Sequence, residues 1–281
     1  MRDQTTTLRP VAKLVRGMPT NDGAGVKLTR IIGGPSLPEL DPFLLLDEIR
    51  SDSGADYIGG FPEHPHRGFE TVTYVLAGRM RHGDNKGNQG LLVPGSVQWM
   101  TAGRGIVHSE MPEQEDGLMW GFQLWVNLPA KHKMMAPRYQ DIDPARIPET
   151  LLPGGVKLRV LAGSVGKTKG PVEGIVTEPL LVDVALPGGS AADIDLPQGH
   201  NVFAYVFDGE AKLGEPAQPA ARGQIAVFGA GGAVRLAGGP GRVLLAAGHP
   251  LNEPVARYGP FVMNTPEEIR QAIADYQSGR F

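Results

Sequence analysis

The amino-acid sequence predicts an all-β fold, built as two similar β-barrels in tandem and ending in one α-helix. Three observations predict it. Glycine and proline punctuate the chain heavily, at 39 and 25 of 281 residues. Between them recur short runs rich in Val, Ile, Leu, Thr and aromatic residues, as strands require. A stretch near residue 66 returns, in order and in kind, near residue 197.

The clearest strand-like runs are 71–76, 97–101, 120–128, 156–161, 180–186, 202–207, 224–228 and 243–247. Each is bounded by Gly, Pro, Asn or Asp, and the spacing suits a sandwich or barrel. The segment HRGFETVTYVLAG at 66–78 resembles PQGHNVFAYVFDG at 197–209, and PGSVQW at 94–99 resembles RGQIAV at 222–227. A strand, a turn and a second strand thus repeat in order, which argues for two similar barrels. Residues 131–153 break the pattern with Pro137, Pro144, Pro148 and Pro153. The expected domains are therefore 1–135 and 136–281, the second ending in the helix. That helix begins at Thr265, an N-cap followed by Pro266 and by Glu268, which completes a capping box. Ile269, Ile273 and Tyr276 form its apolar stripe, and Gly279 is placed to stop it.

Composition excludes several functions. The net charge of −3 and pI of 6.2 give no basic face for direct nucleic-acid binding. Cysteine is absent, which removes disulfides, thiolate metal sites and a Cys nucleophile. No apolar run reaches the roughly 18 residues of a spanning helix, and residues 1–20 show no secretory h-region, so a cytoplasmic protein with no membrane role is expected.

The chemistry concentrates in two matched pairs. His64 and His66 are separated by one residue, as are His108 and Glu110. In a strand, residues i and i+2 share a face. Two neighbouring strands would therefore aim three imidazoles and a carboxylate at one interior point. Such a donor set suits Fe(II), Mn, Ni, Cu or Zn, and a six-coordinate ion would keep two positions open. His82, His132, His200 and His249 lie apart in sequence. At the equivalent places of the second half stand Asp195, Pro197, Leu236 and Gly238, so one metal per chain is expected, in the N-terminal half. Glu70 shares the apparent parity of the histidines and is expected at most to orient one of them.

Two glycine-rich segments are decoys. GSVGKT at 163–168 has two residues between its glycines where a phosphate loop needs four, and Gly170-Pro171 stops any helix after it. GAGG at 229–232 precedes strand-like residues and reads as a hairpin turn. No Gly-x-Ser-x-Gly nucleophile motif occurs.

The segments FPEHPHRGFETVTYVL at 61–76 and QWMTAGRGIVHSEMP at 98–112 closely resemble the pirin family of the cupin superfamily. FLLLDE at 43–48, QLWVNL at 123–128 and YGPFVMNT at 258–265 extend the resemblance over nearly the whole chain. It implies two cupin barrels of jelly-roll type, with Fe(II) in the first. The family's ligands fall on His64, His66, His108 and Glu110. Thr71 stands where the general cupin motif has Glu, a departure that pirins share. Zn, Ni, Mn or Cu could replace iron in purified protein, since raw affinity does not favour Fe(II).

The resemblance implies one of two functions. The first is a quercetin 2,3-dioxygenase-like enzyme, taking a flavonol-like substrate and O₂. Glu110 would then be the catalytic base, with Phe61, Phe69, Met100 and Trp125 as candidate cavity walls and a mouth near Arg67 and Arg104. The second is a metal- and redox-dependent regulator that binds a protein partner, as a transcriptional coregulator or a modulator of a metabolic enzyme.

Overall fold

The computed structural model describes residues 7–281. The chain forms two compact units. One comprises Met18–Pro144 with Leu251–Phe281; the other comprises the described residues up to Gly17 with Ala145–Pro250. This differs from a division at residue 135. The strand Arg138–Ile142 pairs with Val97–Thr101 in the first unit, and the C-terminal helix also belongs there. Pro137 and Pro144 bracket that strand and conceal it in the sequence.

The first unit is a barrel of two antiparallel sheets. The larger has the order Arg138–Ile142, Val97–Thr101, Phe69–Ala77, Met119–Asn127, Phe43–Ser51, Val26–Ile32, Met18–Asp22. The smaller has the order Phe61–His66, Ile106–Pro112, Met80–Asp84, Gln89–Leu92. Val26, Leu28, Ile49, Val75 and Met119 of the larger sheet pack against Met80 and Leu92 of the smaller. Burying such side chains contributes about 1.5–3 kcal/mol each and closes the barrel around its interior.

In the second unit the strands Gln224–Phe228, Asn201–Leu213, Gly241–Gly248 and Leu180–Leu186 lie side by side in that order. The first unit has Val97–Thr101, Phe69–Ala77, Met119–Asn127 and Phe43–Ser51 in the same arrangement. The repeat read from 66–78 and 197–209 is thus the central strand of each unit. The second interior is filled with Val, Leu, Ile and Ala, including a fully buried Leu236. The GSVGKT segment is a turn between the short strands Ser164–Val165 and Thr168–Lys169. GAGG is not a hairpin turn, because Gln224–Phe228 and Ala233–Gly238 do not pair with each other; each pairs with a different part of Asn201–Leu213.

The helix spans Pro266–Gln277. Thr265 Oγ1 accepts from the Glu268 amide at 3.2 Å, while Glu268 Oε2 accepts from the Thr265 amide at 2.9 Å. Gly279 follows with a φ of 71°. Ile269 and Ala272 are buried with Phe261 and Met263, and Val107 and Ile273 pack at the edge of that cluster. Val107 lies on the strand that carries His108, so the helix braces the wall of the candidate site. No helix among the described residues is long and apolar enough to cross a membrane.

Candidate metal centre

His64 and His66 lie on Phe61–His66, an edge strand of the smaller sheet. An edge position tolerates Pro62 and Pro65, which have no N–H to donate. The neighbouring strand Ile106–Pro112 runs antiparallel, placing His108 opposite His64 and Ile106 opposite His66. The register then slips, and Glu110 falls opposite Phe61. The three rings meet with centroids 4.5–4.9 Å apart.

His64, His66 and His108 each offer a ring nitrogen, and these atoms all lie within 4.8 Å of one another. His64 Nε2 and His66 Nε2 are 3.0 Å apart. His64 Nδ1 lies 2.7 Å from the Pro62 carbonyl, which can only accept, so Nδ1 carries the proton there and Nε2 has its lone pair free. His66 Nδ1 and both nitrogens of His108 are buried without a hydrogen-bond partner. Burial pushes the His66 pKa well below its usual value, and the neighbouring His108 and His64 add to that effect. Burial likewise lowers His108 to about 4, against the opposing pull of Glu110. At neutral pH these are uncharged imidazoles with lone pairs gathered at one point, which is what a divalent transition metal requires. On this donor chemistry the residues fit a metal ion.

Glu110 is buried and lies outside that cluster of three. Thr73 Oγ1 donates to its Oε1 at 2.9 Å, and Gln123 Nε2 donates to its Oε2 at 2.7 Å. Gln123 Oε1 in turn accepts from Trp125 Nε1 at 3.2 Å. Neither Thr73 nor Gln123 was singled out from the sequence. Their signal is a polar residue at inward parity within a strand, Thr73 in Phe69–Ala77 and Gln123 in Met119–Asn127.

A cavity of about 560 Å³ opens beside the histidines. Its walls include Phe61, His64, His66, Gln123 and Trp125, together with Arg30, Asp47 and Arg257. Arg30 is held by Asp47 at 2.9 and 2.8 Å and by Asp22 at 2.7 Å. Those bonds keep its guanidinium charged. Arg257 lies over the Trp125 ring at 4.8 Å.

Of the four walls expected, Phe61 and Trp125 line this cavity. Phe69 stands behind them, 5.0 Å from the His66 ring and 4.4 Å from Trp125. Met100 packs instead with Ala102 and Ile106. The mouth is not at Arg67 and Arg104. Arg67 is buried, donating to the Arg104 carbonyl and to Asp275 Oδ2 at 2.7 Å. Glu70 bonds Thr101 and not a histidine. Gly68, with a φ of 90°, separates the two strands and resets their parity. Phe69 and Thr73 face the barrel interior, so Glu70 faces the other way and accepts from Thr101 Oγ1 at 2.6 Å. Any Cβ at Gly68 would lie 1.9 Å from the Val262 carbonyl, so only glycine makes this break.

Comparison with known proteins follows the same outline. The Pirin family model matches residues 25–126, and that of the Pirin C-terminal cupin domain matches 181–281. A Pseudomonas aeruginosa protein provisionally named a quercetin 2,3-dioxygenase is 52% identical over 280 residues, covering 98% of each chain. A pirin-like protein of Caulobacter vibrioides is 50% identical over 276 residues, covering 98% of this chain and 99% of its own. The crystal structure of a quercetin 2,3-dioxygenase from Acinetobacter baumannii superposes with a TM-score of 0.90 at 33% identity, over 98% of this chain and 99% of that one.

Proposed function

Because the chain belongs to the pirin family of the cupin superfamily, we propose that it is a metal-dependent dioxygenase that cleaves the ring of quercetin or a related flavonol. The observation that carries this reading is the gathering of three histidines, two of which, His64 and His66, line a substrate-sized cavity. The names of the Pseudomonas and Acinetobacter proteins support it. His64, His66, His108 and Glu110 would hold the metal, with Fe(II) as its identity. When bound, such an ion supplies Lewis-acid and one-electron chemistry toward a hydroxylated ring and O₂.

The protein's own residues do the rest. Phe61 and Trp125 offer flat apolar surface for an aromatic substrate. Glu110, on the strand that carries His108, accepts the proton of the substrate hydroxyl, a role that requires hydrogen-bond reach. Gln123 and Thr73 hold that carboxylate in place. The barrel wall keeps His66 and His108 dry, which preserves them as neutral ligands.

The regulatory alternative would have a partner sense the metal through Arg67 and Arg104. The burial of Arg67 against Asp275 removes one of those two charges from the surface. The test is oxygen uptake with flavonols by anaerobically purified, iron-loaded protein, with carbon monoxide measured as the co-product. Uptake and carbon monoxide in equal amounts are expected. Absence of both with every flavonol, while metal-dependent binding of a protein partner survives, would overturn the enzyme reading.

A further inference from the structure

Gln123 lines two cavities of the histidine-bearing barrel. It lines the large one with His64, His66 and Trp125, and a small inner one with Thr73 and Glu110. Both ends of its amide are engaged, Nε2 with Glu110 at 2.7 Å and Oε1 with Trp125 at 3.2 Å. Thr73 holds the other Glu110 oxygen at 2.9 Å. Two neutral donors thus grip a carboxylate that is 2% exposed, while the histidine nitrogens converge without it.

We infer that Gln123 is a positioning residue that sets whether Glu110 Oε2 is held by its amide or given to a metal at the histidines. The inference rests on the reading of Glu110 as a metal ligand. A hydrogen bond to an ionised carboxylate is stronger than one between neutral groups. A cation at the histidines must share or break the Gln123 bond to take Oε2. While that bond holds, Oε2 is engaged by a neutral donor and not by a cation. The Trp125 end ties the same amide to the large cavity, so a ligand against that indole acts on Glu110 through Gln123.

The test uses cobalt(II) as the metal probe on stripped full-length chain, without substrate or O₂. Gln123→Leu removes the grip and leaves Oε2 in need of a partner. It should bind cobalt about tenfold more tightly, as expected when a competing charged hydrogen bond is lost. The visible cobalt spectrum should change as the carboxylate joins the histidines. Both effects should vanish when the substitution is made in a Glu110→Gln background. Gln123→Met, near in volume and without a donor, carries the same test if the leucine variant does not fold. Unchanged or weaker binding, or an equal change with and without Glu110, would overturn the inference. No cobalt binding by the wild type would overturn the metal reading itself and this inference with it. Missing flavonol turnover would leave the cobalt result standing.

Discussion

The Nε2 atoms of His64 and His66 lie 3.0 Å apart, on side chains separated by a single proline. Two imidazole nitrogens at that distance, with His108 beside them, need a proton or a cation between them. In the metal-free protein the neutral His66 tautomer donates from Nε2 to His64 Nε2; a metal cation would take a lone pair from each ring in place of that proton.

The first prediction concerns stoichiometry. Elemental analysis of anaerobically purified protein should find close to one transition metal per chain. The second unit has Leu236 buried in an apolar core at the equivalent place. A His66→Ala, His108→Ala protein should retain almost none. Two metals per chain, or full occupancy in the double variant, would contradict the assignment.

Acid should destabilise the metal-free protein through His108. Its folded pKa of about 4 lies below the usual 6.5, so the unfolded chain binds more protons as pH falls between those values. Stability is unaffected by this group above about pH 6.5 and falls toward pH 4, by up to about 3 kcal/mol. Denaturant titrations should find this slope in the stripped protein, and a much smaller one in His108→Ala.

Glu70 should act in the opposite sense. Burial raises its pKa to about 7, so the stability tied to its protonated form is full below about pH 4.5 and is lost as pH rises through 7. Glu70→Gln keeps an oxygen to accept from Thr101 and removes the charge. It should stabilise the protein by about 1–3 kcal/mol at pH 8 and change little at pH 4. A variant destabilised at pH 8 would show that the ionised carboxylate is needed.

Arg67→Met should loosen the helix from the barrel. Arg67 spans the Arg104 carbonyl and Asp275, and its guanidinium lies 4.3 Å from the Phe281 ring. Removing the guanidinium takes away this link between helix and barrel, while Asp275 keeps Arg280 at 2.6 Å. Hydrogen exchange in Pro266–Gln277 should accelerate; unchanged protection would contradict the bracing role.

Much of this was legible in the sequence because local rules and tertiary structure agree. The i, i+2 pairs of His64, His66 and His108, Glu110 do lie on adjacent strands. The capping box of Thr265 and Glu268 starts the helix where it was expected. What escaped were relationships that only long-range packing sets. Parity could not be carried from His66 to Glu70, because Gly68 breaks the strand between them. Arg67 looked solvent-facing until Asp275, 208 residues away, came to meet it. Thr73 and Gln123 read as ordinary strand residues until Glu110 was found between them.

The most direct test of the account is flavonol oxidation per bound iron, for wild type and Glu110→Gln, over a range of iron occupancy and pH. Wild-type oxygen uptake should rise in proportion to iron. Glu110→Gln should bind iron less tightly and turn over about 10²–10⁴-fold more slowly per iron retained, as loss of a general base requires. Equal turnover per iron in the two proteins would leave Glu110 a structural group only. Wild-type oxygen uptake independent of iron would contradict the metal centre as the seat of the reaction.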